Sequence, residues 1–291
     1  MALSQVPVVR KPEFVPAAIR RHWFGGRVRT QMANGLNFVF PEGERFFIRS
    51  VRGYADAITE PELRERVAAF VGQEAQHQRA HLSAFATMEA QGFEIASWMA
   101  WYEDTAYRRI EVRIPKVLRL STTAALEHFT ATFGELVLRT PMLDDADPAM
   151  RAMLKWHSAE EIEHRDVAFD VLVLVDPRWG VRMAGFGIAG LSLAVFWVSA
   201  ARHLLRQDPP TAADRADSAK VRAFWRQEGP GFAWKLLAYL RPGFHPRQAG
   251  GDALAEAWLR DHFPEPEPEL PFMPASVLSV SGGRPSPSFA P

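Results

Sequence analysis

Residues 148–171 read PAMRAMLKWHSAEEIEHRDVAFDV, and they decide the fold. Pro148 follows the acidic segment DDAD, so caps and a first-turn proline together mark a helix start. Met150, Leu154, Ala168 and Val171 then recur at helical spacing, which predicts a helix from about Pro148 to Val175 with one face toward a core. In the middle of that stripe stand His157, Glu161 and His164. Ionisable side chains occupy positions where apolar ones belong.

A second helix, predicted from Pro61 to about Gly92, repeats the pattern. Its stripe of Val67, Phe70, Val71, Leu82 and Phe85 is interrupted by Glu74, His77 and His81. Glu74 with His77, and Glu161 with His164, each form an E-x-x-H pair on one helix face. Two further helices place a lone glutamate toward the core. One runs from Pro115 to Pro141 and carries Glu127 among Leu120, Thr123, Thr130, Gly134 and Leu138. The other runs from Glu42 to Ile58 and carries Glu44 with Phe47, Ile48, Val51 and Ala55. The longest separation, between Glu74 and Glu127, leaves room for an extra helical run over 93–113. No alternating strand pattern is present, so the class is all-α: a four-helix bundle with a dinuclear metal site and a C-terminal helical extension.

Four buried carboxylates without positive partners are prohibitive. A salt-bridge network would need Arg or Lys on the stripes, and the stripe positions hold none. Two divalent ions supply the missing charge, with neutral imidazoles completing the coordination. Oxygen and nitrogen donors suit iron, manganese or a mixed pair. His157, one turn before Glu161, reads as a further ligand. His81 and Glu160 read as supporting residues around the ligands, and His128, about 100° off Glu127, as a packed or supporting residue. His22, His203, His245 and His262 have no helical partner at this spacing.

The rest of the chain sets limits. It has 291 residues and no cysteine, which excludes thiolate metal sites, cysteine nucleophiles and disulfides. Formal net charge is zero, so nucleic acid is not an expected partner. The N-terminus lacks the apolar stretch of a secretory signal, which predicts a cytoplasmic protein. Four regions are expected: an N-terminal arm over 1–40, the metal-binding bundle over 41–176, a C-terminal helical region over 177–263, and a disordered Pro-rich tail over 264–291. Residues 183–201 carry no charge and approach the length of a bilayer span, yet Ala, Gly and Ser fill much of the stretch. Either a buried soluble helix or contact with the inner membrane fits it. Residues 202–247 hold nine Lys or Arg against four Asp or Glu, with Trp225, Trp234 and Tyr239 interleaved. That fits a solvated helical cap or an anionic membrane surface.

The segments RHWFGG, PEGERFFIRSVR, GQEAQHQRAH, ALEHFTA, WHSAEEIEHRDVAFDV and YLRPGFHP, spread over roughly residues 12–263, resemble a bacterial family of predicted metal-dependent hydrolases. The ligand order is also similar to that of ferritin-like di-iron oxygenases, in particular the arylamine N-oxygenases, which carry an extra His before the last E-x-x-H. Carried onto this sequence, that resemblance implies the ligand set Glu44, Glu74, His77, Glu127, His157, Glu161 and His164 around two iron ions. It implies an oxidoreductase that activates O2 on a small organic substrate, a lipophilic one if residues 183–201 meet lipid. Electrons would come from a donor protein, and a homodimer is compatible with the chain. Hydrolysis by a metal-activated water is the alternative, and non-catalytic metal binding the second.

Overall fold

The computed structural model describes residues 6–13 and 19–263. Among them nine α-helices and no strand are present. They are α1 (Arg27–Arg52), α2 (Pro61–Ala90), α3 (Ala96–Tyr102), α4 (Lys116–Arg139), α5 (Pro148–His164), α6 (Val167–Val175), α7 (Trp179–Gln207), α8 (Asp214–Ala238) and α9 (Asp252–His262). The tail expected over 264–291 lies outside the described residues.

Helices α1 and α2 pack as one pair and α4 and α5 as another, and α1–α4 and α2–α5 contacts join the pairs. The crossover between them contains α3 and a π-helical stretch, Glu103–Ile110. Helix α7 lies along α1 and α4. It approaches closely because the contacts are made by the smallest residues. A Cβ on Gly185 would sit 2.1 Å from the Ser121 hydroxyl, and one on Gly35 would sit 2.8 Å from the backbone nitrogen of Ala201.

Two sequence expectations are corrected. The arm expected over 1–40 is helical from Arg27, because α1 continues through Pro41 instead of starting after it. An interior proline costs about 3 kcal/mol. Phe38 and Val39 before it, and Phe46 and Phe47 after it, are all buried and hold both halves in place. Each such side chain contributes about 1.5–3 kcal/mol, which outweighs the proline. Gln78 Nε2 of α2 also donates to the Pro41 carbonyl at 2.8 Å.

The helix expected over 148–175 is broken into α5 and α6 at Arg165 and Asp166. Arg165 turns its guanidinium back onto the Ile162 carbonyl at 3.2 Å and reaches the carbonyls of Pro246 and Gly250 and the carboxylate of Asp252. Those bonds tie α9 to the end of α5. The apolar helix α7 is long and apolar enough to cross a membrane, and 22% of its most apolar window is buried.

Buried apolar side chains form separate layers. Phe47, Val51, Phe70, Leu120, Ala124, Ala168 and Val171 belong to one. Ala80, Ala84, Ala131, Met150, Met153, Trp156 and Ala159 belong to another. The ionisable stripe residues lie between these two sets along each of α2, α4 and α5.

Candidate metal centre

Each of the four helices α1, α2, α4 and α5 turns its stripe inward, so Glu44, Glu74, His77, Glu127, His157, Glu161 and His164 converge. All seven are buried, with Glu74, His77, Glu127 and His164 at zero exposure. His164 Nε2 stands 3.1 Å from Glu74 Oε1, 3.2 Å from Glu127 Oε2 and 3.7 Å from Glu161 Oε2. His77 Nδ1 stands 3.5 Å from Glu161 Oε1 and 3.9 Å from Glu74 Oε1. His157 Nε2 lies 2.7 Å from Glu161 Oε1 and 3.9 Å from Glu44 Oε1. Thr130, one turn beyond Glu127, donates its hydroxyl to Glu161.

Ring contacts keep water out. Phe40 packs on His81 and His157, Phe70 meets His164 edge-on, and Trp156 meets His77 edge-on.

The supporting residues sort differently from expectation. Glu160 Oε2 accepts from His77 Nε2 at 3.0 Å, which leaves Nδ1 of that ring facing the cluster. His81 lies closer to the centre than a supporting residue: with Glu44 and His157 it forms a triad whose donor atoms lie within 4.8 Å of one another. His128 takes the packed place of its two alternatives. One residue past Glu127, it points away from the cluster, stacks on Tyr239 and places Nε2 3.2 Å from the Lys235 and Leu236 carbonyls. It fastens α8 to α4. Gln73, which the stripe reading passed over, sets its Oε1 2.9 Å from His164 Nδ1. Its position, three residues after Phe70 and four before His77 on the buried stripe, was the available signal.

The electrostatics of the cluster call for a cation. Burial pushes Glu44 well above the usual carboxylate range, and the charges of Glu74, Glu161 and Glu127 add to the push. Burial pushes Glu74 up to about 8 and Glu127 up to about 7, each against the pull of His164. Glu161 is also buried, but the hydrogen bond from His157 and the charge of His164 hold it well below the usual range. Burial depresses His77 and His81 far below ordinary histidine. The same burial on His164 is overcome by Glu127, Glu161 and Glu74, which hold that ring well above it.

Both oxygens of Glu44, Glu74 and Glu127, together with His77 Nδ1 and His164 Nε2, are buried with no hydrogen-bond partner. Among the described residues no Lys or Arg stands within ion-pair distance of the four central glutamates. Inward-facing carboxylate oxygens and imidazole nitrogens of this kind fit divalent metal.

The family model described as "Predicted metal-dependent hydrolase" matches residues 8–250. The chain belongs to this family. No curated protein and no solved structure matches it. The family match overturns the O2-activating di-iron oxidoreductase expected from the ligand order. The reason is chemical. The order Glu, E-x-x-H, Glu, E-x-x-H specifies a dinuclear oxygen-and-nitrogen donor set, and such a set serves hydrolysis as well as redox chemistry.

Proposed function

We propose that this protein is a hydrolase working with a pair of divalent metal ions held by the buried cluster. The observation that carries the reading is the convergence of partnerless carboxylate oxygens and imidazole nitrogens in a dry core. Glu44, His77 and His157 would hold one ion, and Glu127 and His164 the other. Glu74 and Glu161 each approach both His77 and His164, one histidine of each set. When bound, such a pair supplies Lewis acidity, lowering the pKa of water and polarising a scissile carbonyl or phosphoryl oxygen.

The protein's own groups hold the protons. His157 Nδ1 and His81 Nε2 lie 2.9 Å apart. Once His157 Nε2 serves as a ligand, Nδ1 must keep its proton and donate it to His81. The Thr130 hydroxyl orients Glu161 from the opposite side. Phe40, Phe70 and Trp156 exclude bulk water, which strengthens every charge interaction inside.

The donor set accepts iron, manganese or zinc. The substrate is a small molecule with an ester, amide or phosphoester bond. The test is elemental analysis of the purified protein followed by hydrolysis assays on nitrophenyl esters, anilides and phosphoesters, with and without chelator. Hydrolysis that chelator abolishes and metal restores is expected. A metal-loaded protein that cleaves none of the three classes would overturn the reading.

We also propose that α7 rests on an anionic membrane surface. Leu191, Val195 and Val198 fall on one helical stripe and are 70%, 50% and 37% exposed. Trp101, which packs on Phe196 of α7, is half exposed beside them. The helix contains no Asp or Glu, and Arg202 and Arg206 are exposed at its end. Two copies pairing through this face would bring arginines together with no carboxylate of the helix to meet them, whereas lipid phosphates complement them. Cosedimentation with phosphatidylglycerol vesicles that Leu191→Glu abolishes is expected. A parent protein that stays wholly in the supernatant would refute it.

A further inference from the structure

The chain's first described residues reach the metal centre from outside the bundle. Val9 lies against α2 at Gly72, where an added Cβ would come within 2.6 Å of Val9 Cγ2. Beside it, Arg10 Nη1 donates to Glu160 Oε1 at 3.1 Å and to Glu163 Oε2 at 2.9 Å, while Nη2 reaches Glu163 Oε1 at 3.3 Å. Gln73 Nε2 donates to the Val8 carbonyl at 3.0 Å and to Glu163 Oε2 at 2.6 Å.

Two paths therefore run from one segment to the two E-x-x-H histidines. Along the first, Arg10 holds Glu160, and Glu160 accepts from His77 Nε2. The proton must sit on Nε2, so the Nδ1 lone pair faces the cluster. Along the second, Val8 and Glu163 use up the amide N–H bonds of Gln73, which fixes the orientation of that amide. Its oxygen then faces His164 Nδ1, the proton sits on Nδ1, and the Nε2 lone pair faces the cluster. Metal needs a free lone pair on each of those inward nitrogens, and outer partners of ligating histidines set it.

We propose that Val8–Arg10 is a strap that orients both E-x-x-H histidines for metal, with Arg10 and Gln73 as positioning residues. The inference rests on reading the cluster as a metal centre. Arg10 carries the longer reach: its planar fork engages two carboxylates at once, a geometry lysine does not reproduce.

The experiment uses the full chain loaded with Co(II), whose visible spectrum reports ligand geometry, and follows metal release into a chelator. Two variants loosen the strap by different routes. Arg10→Ala removes the guanidinium. Gly72→Ala leaves every polar group in place and favours the helix, but its methyl displaces Val9. Both are expected to release Co(II) about 10–100 times faster than the parent. Both should show an altered visible spectrum and an unchanged melting temperature of the metal-free protein. Arg10→Lys should recover part of the release rate and not the parent spectrum. A parent that takes up no Co(II) would overturn the metal centre and the strap with it. A parent that holds Co(II) while both variants keep its release rate and spectrum would overturn the strap alone.

Discussion

Around Glu44 stand three imidazoles, those of His77, His81 and His157, whereas Glu127 has only His164 beside it. Glu74 and Glu161 touch both sides. The first half is rich in neutral nitrogen donors, the second in anionic oxygen. An ion held in the first half would keep more of its positive charge and act as the stronger Lewis acid, and one held in the second half would be better neutralised and serve as the anchor. The two halves are therefore unequal as donor sets, although the E-x-x-H pairs look alike in sequence.

The largest effect belongs to a residue common to both halves. Glu161→Ala removes the carboxylate that approaches His77, His157 and His164, and metal content is expected to fall from about two ions per chain to less than one. Elemental analysis that still finds both ions would end the assignment. Glu127→Ala cuts only the oxygen-rich half and should leave about one ion per chain. Loss of both ions in that variant would show that the halves are not separable. His81→Phe keeps a ring against Phe40 but removes the partner of His157 Nδ1. A roughly 10-fold weaker affinity confined to one of the two ions is expected in calorimetric titration. Equal weakening of both would break the comparison.

The smallest effect is on stability. In the metal-free chain Glu74 and Glu127 titrate near 8 and 7, so the folded state holds protons that the unfolded state has already lost. The raised His164 acts in the same direction. His77 and His81, kept neutral, act the other way only below about pH 6.5. From about pH 6.5 to 8, metal-free protein should therefore lose stability as pH rises, by a few degrees in melting temperature. Metal-loaded protein should not, because the ions replace those protons. Parallel melting curves across that range would contradict the pKa pattern.

Much of this was legible in the sequence. Helical period alone turned Glu44, Glu74, His77, Glu127, His157, Glu161 and His164 toward one interior, because each interrupts an apolar stripe. His81 carried the same signal, one turn from His77, and its place near Glu44 follows from it. His128 did not, since a residue next to Glu127 faces about 100° away. Arg10 lies outside every helix, and no periodicity could bring it to Glu160. The passage of α1 through Pro41 was equally hidden, because local propensity argues for a start there and only the burial of Phe38 on α7 and its neighbours reverses it. The break at Arg165 depends on carbonyls some eighty residues away. The reaction itself was read wrongly, because ligand order fixes donors and not chemistry.

The charged layer separates two apolar clusters that would otherwise form one continuous core. In the metal-free chain the two apolar clusters close on their own contacts, while the slab between them relies on the protons held by Glu74 and Glu127; ions bound there would take the place of those protons and cross-link α1, α2, α4 and α5 at mid-height.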